Sequence, residues 1–297
     1  MIIQSGQKVP FALSPLSALD AAQLAASRLL SLPAPSLIPR VHAEVGHYRL
    51  RLAQSAKDRE AACRLRFKVF NIEMGEGLES SYQIGLDTDH FDAVCEHLLV
   101  EKKDDGLIVG TYRMQSGITA LANFGYYSEQ EFHFEPYEPL RADILELGRA
   151  SIDREHRTPE VLTLLWRGIA QYANEMGLRY LIGCSSINSK NPAEGWQMYR
   201  QLENYRASRE SETLPTAAYT CPTEQEGVQP QSSPCLQDST LPIKVPKLLK
   251  TYLSIGARIC APPAWDRAFG TIDFLTLLDL KKLSSAARNR FLAPLLQ

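Results

Sequence analysis

Charged side chains recur at short, fixed spacings inside apolar stretches between residues 66 and 149 of this 297-residue sequence. They form four motifs: Arg66 with Phe70, Asp89 with Asp92, Gly110 with Arg113, and Glu146 with Arg149. Burying such groups costs free energy unless each charge is paired and hydrogen-bonded. The pattern therefore predicts an enclosed ionic site, with carboxylates able to move protons and arginines able to bind anions, rather than a solvated surface.

The order of the four motifs resembles that of the acyl-carrier-protein-dependent N-acyltransferases, which are related to the acyl-homoserine-lactone synthases. The nearest branch is the hemolysin-like group that includes the ornithine N-acyltransferases of ornithine-lipid synthesis. Further matches at residues 165–168, 180–186 and 256–266 extend the resemblance over roughly residues 48–280. The synthases usually carry a tryptophan shortly after the first motif. Residues 71–77 contain none, which argues against homoserine-lactone production.

Composition excludes several classes of protein. The formal charge of −2 argues against a nucleic-acid binder that relies on bulk electrostatics. The six cysteines contain no C-x-x-C pair, so neither a zinc site nor a disulfide framework is expected. No apolar run is long enough for a spanning helix, and residues 1–8 do not follow the order of a secretion signal. We expect a cytoplasmic protein, either free or peripheral at the inner face of the membrane.

Residue composition also divides the chain. Residues 1–45 contain an Ala/Leu-rich segment followed by three prolines, which predicts a partly ordered N-terminal extension. Residues 46–297 are predicted to form the acyltransferase domain. Within it, residues 208–242 are rich in Ser, Thr, Pro and Gln, which favours a flexible insert.

Hydrophobic periodicity predicts an α/β fold, with a mixed, mostly antiparallel sheet flanked by helices. Helical spacing is clearest from Pro159 to Met176, and Ser55 is a suitable N-cap for the first helix of the domain. The order of elements is that of the GNAT acyltransferases. Predicted strands cover residues 48–52, 95–101, 106–115, 143–152, 179–184, 258–260 and 271–278, and predicted helices cover 55–70, 159–176, 192–203 and 245–253.

The segment Arg154–Glu160 occupies the position of the GNAT phosphate loop, but it contains no glycine. A diphosphate cradle needs glycines because backbone N–H groups must approach the phosphates closely. The segment is therefore a poor site for coenzyme A, although a helix start can hold the single phosphate of a phosphopantetheine arm. We expect an acyl carrier protein as donor and no cofactor. The alternative is an ordinary loop in which Thr158 caps a helix.

The implied reaction is aminolysis of a thioester. Glu146 is the candidate base for the attacking amine, with Arg149 as its motif partner, because burial raises a carboxylate's pKa. The alternative is that Glu146 only pairs with Arg149 or Arg113. Tyr199 matches the GNAT tyrosine that protonates the departing thiol, and its alternative role is packing.

The remaining motif residues have two interpretations each. Asp89 and Asp92 either hold ammonium groups of the acceptor or fix Arg66 in place. Arg66 and Arg113 either bind the acceptor carboxylate or belong to a buried ionic network with the aspartates. The spacing of these acidic residues matches no EF-hand or zinc pattern, so no metal is expected.

Apolar and basic side chains supply candidates for substrate and partner contacts. Phe124, Tyr126 and Tyr127 are candidates for an acyl-chain slot, with core packing as the alternative, and Phe70 completes the predicted substrate-binding set. Basic side chains near the end of the chain suit an acidic carrier protein, anionic lipid headgroups or plain solvation. They are Lys244, Lys247, Lys250, Arg258, Lys281, Lys282, Arg288 and Arg290.

Together these observations predict an N-acyltransferase that moves a long (3-hydroxy)acyl chain from acyl carrier protein to the α-amine of an amino acid. The resemblance implies L-ornithine as acceptor and lyso-ornithine lipid as product. Alternatives are another acyl-carrier- or coenzyme-A-dependent N-acyltransferase with glycine or a different acceptor, a quorum-signal synthase, or a non-catalytic lipid- or carrier-binding module.

Overall fold

The apolar segments form a single sheet in the computed structural model, which describes residues 39–223 and 242–291. Along the sheet the strand order is β1-β2-β3-β4-β5-β6-β9-β7, and β8 also pairs with β9. Neighbouring strands are antiparallel except β5 and β6, so the sheet is mixed and mostly antiparallel, as predicted. The strands are β1 His42–Val45, β2 Tyr48–Leu52, β3 Glu96–Lys102, β4 Ile108–Ser116, β5 Ile144–Ile152, β6 Tyr180–Ile187, β7 Arg258–Ile259, β8 Ala264–Asp266 and β9 Thr271–Asp279.

Helices begin where the sequence supplies caps. Ser55 accepts a hydrogen bond from the Asp58 N–H, and Thr158 accepts one from Val161, so two predicted N-termini have the expected partners. The first helix continues as a π-helical turn over Lys68–Met74. The α-helices are α1 Ala56–Phe67, α2 Ser81–Ile84, α3 Gly117–Ala122, α4 Pro159–Glu175, α5 Pro192–Gln201, α6 Lys247–Ser254 and α7 Ser285–Phe291.

Alternation along the strands separates two faces of the sheet. On one face, Leu98, Tyr112 and Leu181 join the core beneath α4, where Gly168 lets the helix approach closely. A Cβ at Gly168 would lie 2.7 Å from the Leu98 side chain. On the other face, α1 packs through Leu65 against the neighbouring strands. The charged motif side chains lie on this second face, which we call the ionic face.

A bulge in β5 separates this strand from β6. Arg113 pairs with Gly148, but Thr111 pairs with Ser151, so Arg149 lies in an irregular stretch and adopts φ 52°. The parallel pairing of β5 with β6 ends at Glu146. Beyond that point the two strands bound an open cleft. The bulge and the opening between β5 and β6 therefore lie close together in an otherwise continuous sheet.

The structure covers part of the predicted N-terminal extension and part of the predicted insert. The sheet starts at His42, so the last four residues assigned to the extension form β1, a short edge strand. Residues 1–38 lie outside the described part of the chain. In the segment assigned to a flexible insert, residues 208–223 form short turns that lie against the sheet, with Thr220 bridging to Ala264, and residues 224–241 are outside the description. No helix in 39–223 or 242–291 has the length and apolar character needed to cross a bilayer.

Candidate active site

Arg66 forms the centre of the ionic site. It lies in the last turn of α1 and is completely buried, because its helix face packs onto the sheet. Its Nε donates to Asp87 at 2.7 Å, and its two Nη atoms donate to the two carboxylate oxygens of Asp92 at 2.7 and 2.8 Å. Nη2 also reaches the Asp87 carbonyl oxygen at 2.5 Å. All three nitrogen atoms of the guanidinium therefore bind aspartates within the protein.

Two further arginines complete the network from strands β4 and β5. Arg113 donates from Nη1 to Asp89 at 2.6 Å and to Asp92 at 3.1 Å. Arg149 donates from Nη2 to the other oxygen of Asp89 at 3.2 Å, and its Nε lies 3.5 Å from Asp87. Three guanidinium groups thus face three carboxylates, Asp87, Asp89 and Asp92, and the charges balance.

This balance keeps the aspartates ionised inside the protein. Burial alone would raise the pKa of Asp92, but Arg66 and Arg113 outweigh burial and hold that pKa well below its usual range. The pKa of Asp89 is lowered in the same way, chiefly by Arg113. Burial instead lowers the pKa of neighbouring His97 to about 4, so that this side chain is neutral at pH 7. Of the two interpretations for Arg66 and Arg113, the geometry shows the ionic network.

Glu146 lies beside this network on β5, paired with Ile182 of β6 at the closed end of the cleft. Its Oε1 accepts hydrogen bonds from the N–H of Ser128, at 2.8 Å, and from the Ser128 hydroxyl. Its Oε2 accepts one bond from the Tyr127 N–H at 2.8 Å. Burial raises the pKa of Glu146 although these bonds act in the opposite direction. Glu146 therefore both caps the turn at residues 127–130 and offers a carboxylate of raised basicity.

Arg149 is the arginine of the network that borders the cleft. Its guanidinium lies between two aromatic rings, 4.8 Å from the Tyr127 centroid and 4.6 Å from that of Phe269. Its Nε is buried and faces Asp87 at 3.5 Å. A guanidinium that lies against two rings at the border of the cleft is suited to bind a carboxylate or an oxyanion.

The cleft itself is mostly apolar and opens between β5 and β6. Its walls include Leu147 and Leu181 from the two strands, and α6 closes it through Leu248 and Tyr252. Tyr252 forms a short hydrogen bond with Tyr112 of β4. An apolar channel of this kind accepts a hydrocarbon or pantetheine chain better than a polar metabolite.

The remaining predicted side chains lie elsewhere. Phe70 contacts the Phe269 ring at 5.5 Å, next to Arg149. Phe124 lies at the surface and packs edge-on against His90. Tyr126 is buried in a hydrophobic cluster with Phe134 and Ile144. Tyr199 of α5 lies under Arg206, and the Arg206 Cζ is 4.1 Å from the Tyr199 ring. None of these four borders the cleft in the described part of the chain.

Sequence reasoning missed a second acidic group on the ionic face. Glu131, Asp266 and Asp273 are buried, and one oxygen from each lies within 4.8 Å of the others. Burial and mutual repulsion raise the pKa of Glu131, and they raise that of Asp273 to about 6. Asp273 is an acidic residue in the apolar run Thr271–Leu278, and an acid in such a run is a sequence signal for a buried polar site. We call these three residues the acidic pocket.

The proteins and the family model that match this chain are described as acyltransferases or acetyltransferases. A family model described as an acetyltransferase (GNAT) domain matches residues 65–167, which confirms the predicted fold. L-ornithine N(alpha)-acyltransferase of Brucella abortus (strain 2308) is 30% identical over 263 residues, covering 83% of this chain and 92% of the relative. The protein of the same name from Agrobacterium fabrum (strain C58 / ATCC 33970) is 30% identical over 248 residues, with 81% and 83% covered.

Among solved structures, an N-acyl amino acid synthase from uncultured soil microbes superposes with a TM-score of 0.47 and 11% identity, covering 87% of this chain and 100% of that one.

Proposed function

Because this chain belongs to the L-ornithine N(alpha)-acyltransferase family, we propose that it transfers a long-chain 3-hydroxyacyl group from an acyl carrier protein to the α-amine of L-ornithine. The product would be lyso-ornithine lipid. The relatives and the GNAT domain make the protein an N-acyltransferase, so the prediction of an enzyme is confirmed.

One observation carries the proposal: the pairing of β5 with β6 ends at Glu146, and Arg149, three residues further along in the bulge, lines the apolar cleft that opens between the two strands. A thioester whose acyl chain occupies the cleft would present its carbonyl carbon at that break. Positioning the amine against this carbon can supply about 7–11 kcal/mol of the barrier reduction.

The proposed chemistry uses Glu146 as the base. The acceptor's α-ammonium loses a proton to Glu146, directly or through water, and the free amine attacks the carbonyl carbon. A C–N bond forms and the C–S bond breaks. The nitrogen loses a second proton as the amide forms, the pantetheine sulfur leaves as a thiolate that takes up one proton, and the other proton passes to solvent. Arg149 borders the cleft, where its guanidinium would attract the acceptor's α-carboxylate or the developing oxyanion. Tyr199 packs under Arg206 beside α5, so we assign the thiolate's proton to solvent or to Glu146 rather than to Tyr199.

The donor is proposed to be a carrier protein and not free coenzyme A. The segment Arg154–His156 forms a short turn without glycine, so it has few close backbone N–H groups for a diphosphate. Helix α6, which closes the cleft through Leu248 and Tyr252, carries exposed Lys247 and Lys250. A basic surface at the cleft is complementary to an acidic carrier.

The test is a purified reaction with 3-hydroxyacyl carrier protein and L-ornithine, followed by thiol release and mass spectrometry of the acylated product. We expect one thiol per lyso-ornithine lipid formed, and much slower turnover with 3-hydroxyacyl coenzyme A. Equal rates with the two donors would refute the carrier assignment. Turnover of glycine or S-adenosylmethionine in place of ornithine would refute the acceptor.

We also propose peripheral contact with the inner face of the membrane, because the product is a lipid. Helix α3 exposes Ile118 and Leu121, which are 68% and 77% exposed, and Phe124 follows it at 48%. Flotation with anionic liposomes should recover the protein with the vesicles, and Leu121→Ser should reduce that fraction. Recovery that is the same with and without liposomes would refute this contact.

A further inference from the structure

The acidic pocket lies on the same face of the sheet as Glu146. Asp273 of β9 pairs with Ser186 of β6, two residues beyond cleft-lining Cys184, and side chains two apart on a strand share a face. The Cys184 thiol lies within electrostatic reach of Glu131, Asp273 and Glu146. The pocket is therefore adjacent to the proposed reaction centre rather than a separate feature of the surface.

The pocket lacks the partners that a structural carboxylate cluster needs. Glu131 is 0% exposed, and no donor meets strict hydrogen-bond geometry at either of its carboxylate oxygens or at Oδ1 of Asp273. The groups closest to Glu131 are the Asp273 carboxyl group and the weakly donating Cys184 thiol, and Asp266 accepts one bond, from the Phe269 N–H at 2.8 Å. Within residues 39–223 and 242–291, no Lys, Arg or His forms an ion pair with any of the three acids. Burying carboxylates without strong donors is costly, and a cationic ligand would lower that cost.

The aspartates that the sequence suggested as ammonium ligands are already engaged. Asp92 receives four hydrogen bonds from Arg66, Arg113 and the Asp89 N–H, and Asp89 is bonded to Arg113 and Arg149. Diverting either aspartate to a substrate would take hydrogen bonds away from two buried arginines. A cationic group of the acceptor must therefore be held by other acids.

We propose that Glu131, Asp266 and Asp273 bind the side-chain ammonium of a diamino acid acceptor; this inference rests on the proposed acyl transfer to an amino acid. An ammonium has three N–H donors, and the pocket offers one oxygen from each of three acids. Oxygens up to 4.8 Å apart surround a central atom about 2.8 Å from each, the usual length of an ammonium–carboxylate hydrogen bond.

This assignment orients the acceptor along the ionic face. Arg149 binds the α-carboxylate, Glu146 faces the α-amine, and the acidic pocket holds the distal ammonium. The tethered charge leaves only the α-nitrogen near the thioester. The pocket therefore selects diamino acids over neutral ones and directs acylation to the α position.

The first test compares L-ornithine with L-norvaline, which has the same carbon chain without the distal amine. We expect wild-type kcat/KM to favour ornithine by roughly 100-fold, as for a buried charge pair. Glu131→Gln and Asp273→Asn should reduce kcat/KM for ornithine by a similar factor and leave that for norvaline nearly unchanged. Glu135→Gln, at an exposed glutamate four residues away, is the matched control and should preserve the discrimination.

Binding without the donor separates this proposal from the proposed function. Thermal unfolding of the wild type should shift upward with ornithine and not with norvaline, and Glu131→Gln should abolish the shift while raising the Tm of the free protein. An ornithine shift without turnover would retain the pocket and refute the acyltransfer to ornithine. Equal shifts by both amino acids, or unaltered discrimination in Glu131→Gln, would overturn the pocket. Stabilisation by Mg²⁺ or Ca²⁺ that is lost in Glu131→Gln, with no ornithine effect, would also overturn it and assign the acids to a metal.

Discussion

Both carboxylate oxygens of Asp92 accept hydrogen bonds from the guanidinium of Arg66, at 2.7 and 2.8 Å, and neither side chain is exposed to solvent. This two-point contact fixes α1 against the loop that precedes β3. It also forms the base on which Arg113 and Arg149 are arranged, because both contact the aspartates of that loop.

Removing one partner of this pair should strongly destabilise the protein. We expect Asp92→Ala to lower the free energy of unfolding by about 3–5 kcal/mol, because Arg66 and Arg113 would remain buried with one carboxylate fewer to neutralise them. Urea denaturation at pH 7 measures the change. Arg64→Ala is the matched control, since Arg64 lies two residues away on α1 in an exposed pair with Glu60, and should change stability by about 0.5 kcal/mol or less. Similar losses in the two variants would contradict the role of burial.

His97 should make stability sensitive to mild acid. Its folded pKa of about 4 is below the ordinary value of about 6.5, chiefly because of burial, so the unfolded chain binds the proton more readily. Its contribution is complete above pH 6.5 and is lost as the pH falls towards 4, by about 2 kcal/mol at pH 5. Asp92, Arg66 and Arg113 are the charged groups that face it. Urea unfolding at pH 7 and 5 should show a smaller difference for His97→Gln than for the wild type; equal differences would exclude His97.

Glu146→Gln should lower kcat by about 10²–10⁴-fold while retaining binding of the acyl carrier protein. The amide cannot accept the amine's proton, but the cleft and the basic surface of α6 remain. Single-turnover kinetics and a separate carrier-binding assay distinguish the two effects. Unchanged turnover would remove Glu146 from the mechanism.

Ser128→Ala is the matched variant for the basicity of Glu146. The Ser128 hydrogen bonds favour the charged carboxylate, so losing the hydroxyl should raise the pKa of Glu146 further. The acid limb of the kcat/KM profile should then move to higher pH, with a modest loss of maximal rate. A shift to lower pH would be inconsistent with Glu146 as the ionised base.

Gly183→Ala should disrupt the cleft. A Cβ at Gly183 would lie 2.2 Å from the Leu147 carbonyl oxygen, so strands β5 and β6 would have to move apart. We expect a loss of at least about 1–3 kcal/mol in the free energy of unfolding together with reduced activity. Gly148→Ala is the control, because a Cβ at Gly148 has no atom within 4 Å, and its unfolding midpoint should remain near that of the wild type. A stable, fully active Gly183→Ala variant would refute the close approach of the strands.

The sequence alone determined the elements and the ionic composition of the site. Ser55 and Thr158 begin helices because their side chains accept N–H groups three residues ahead, which is a local property. The four charged motifs likewise predicted an enclosed ionic site, and a network of Arg66, Arg113 and the aspartates was one of the two interpretations that they allowed. The predicted fold class followed from these signals and from the hydrophobic period.

Tertiary structure alone decided which groups were left for chemistry. The bulge at Arg149 depends on the register between β4 and β5, and the cleft depends on where β5 separates from β6. Glu131 and Asp273 are far apart in the chain and meet only because β9 pairs with β6. Hydrophobic periodicity assigns a residue to a face of its own strand, but long-range pairing determines its neighbours. The sequence could therefore supply the acids and arginines, while the assembled sheet determined which of them neutralise one another.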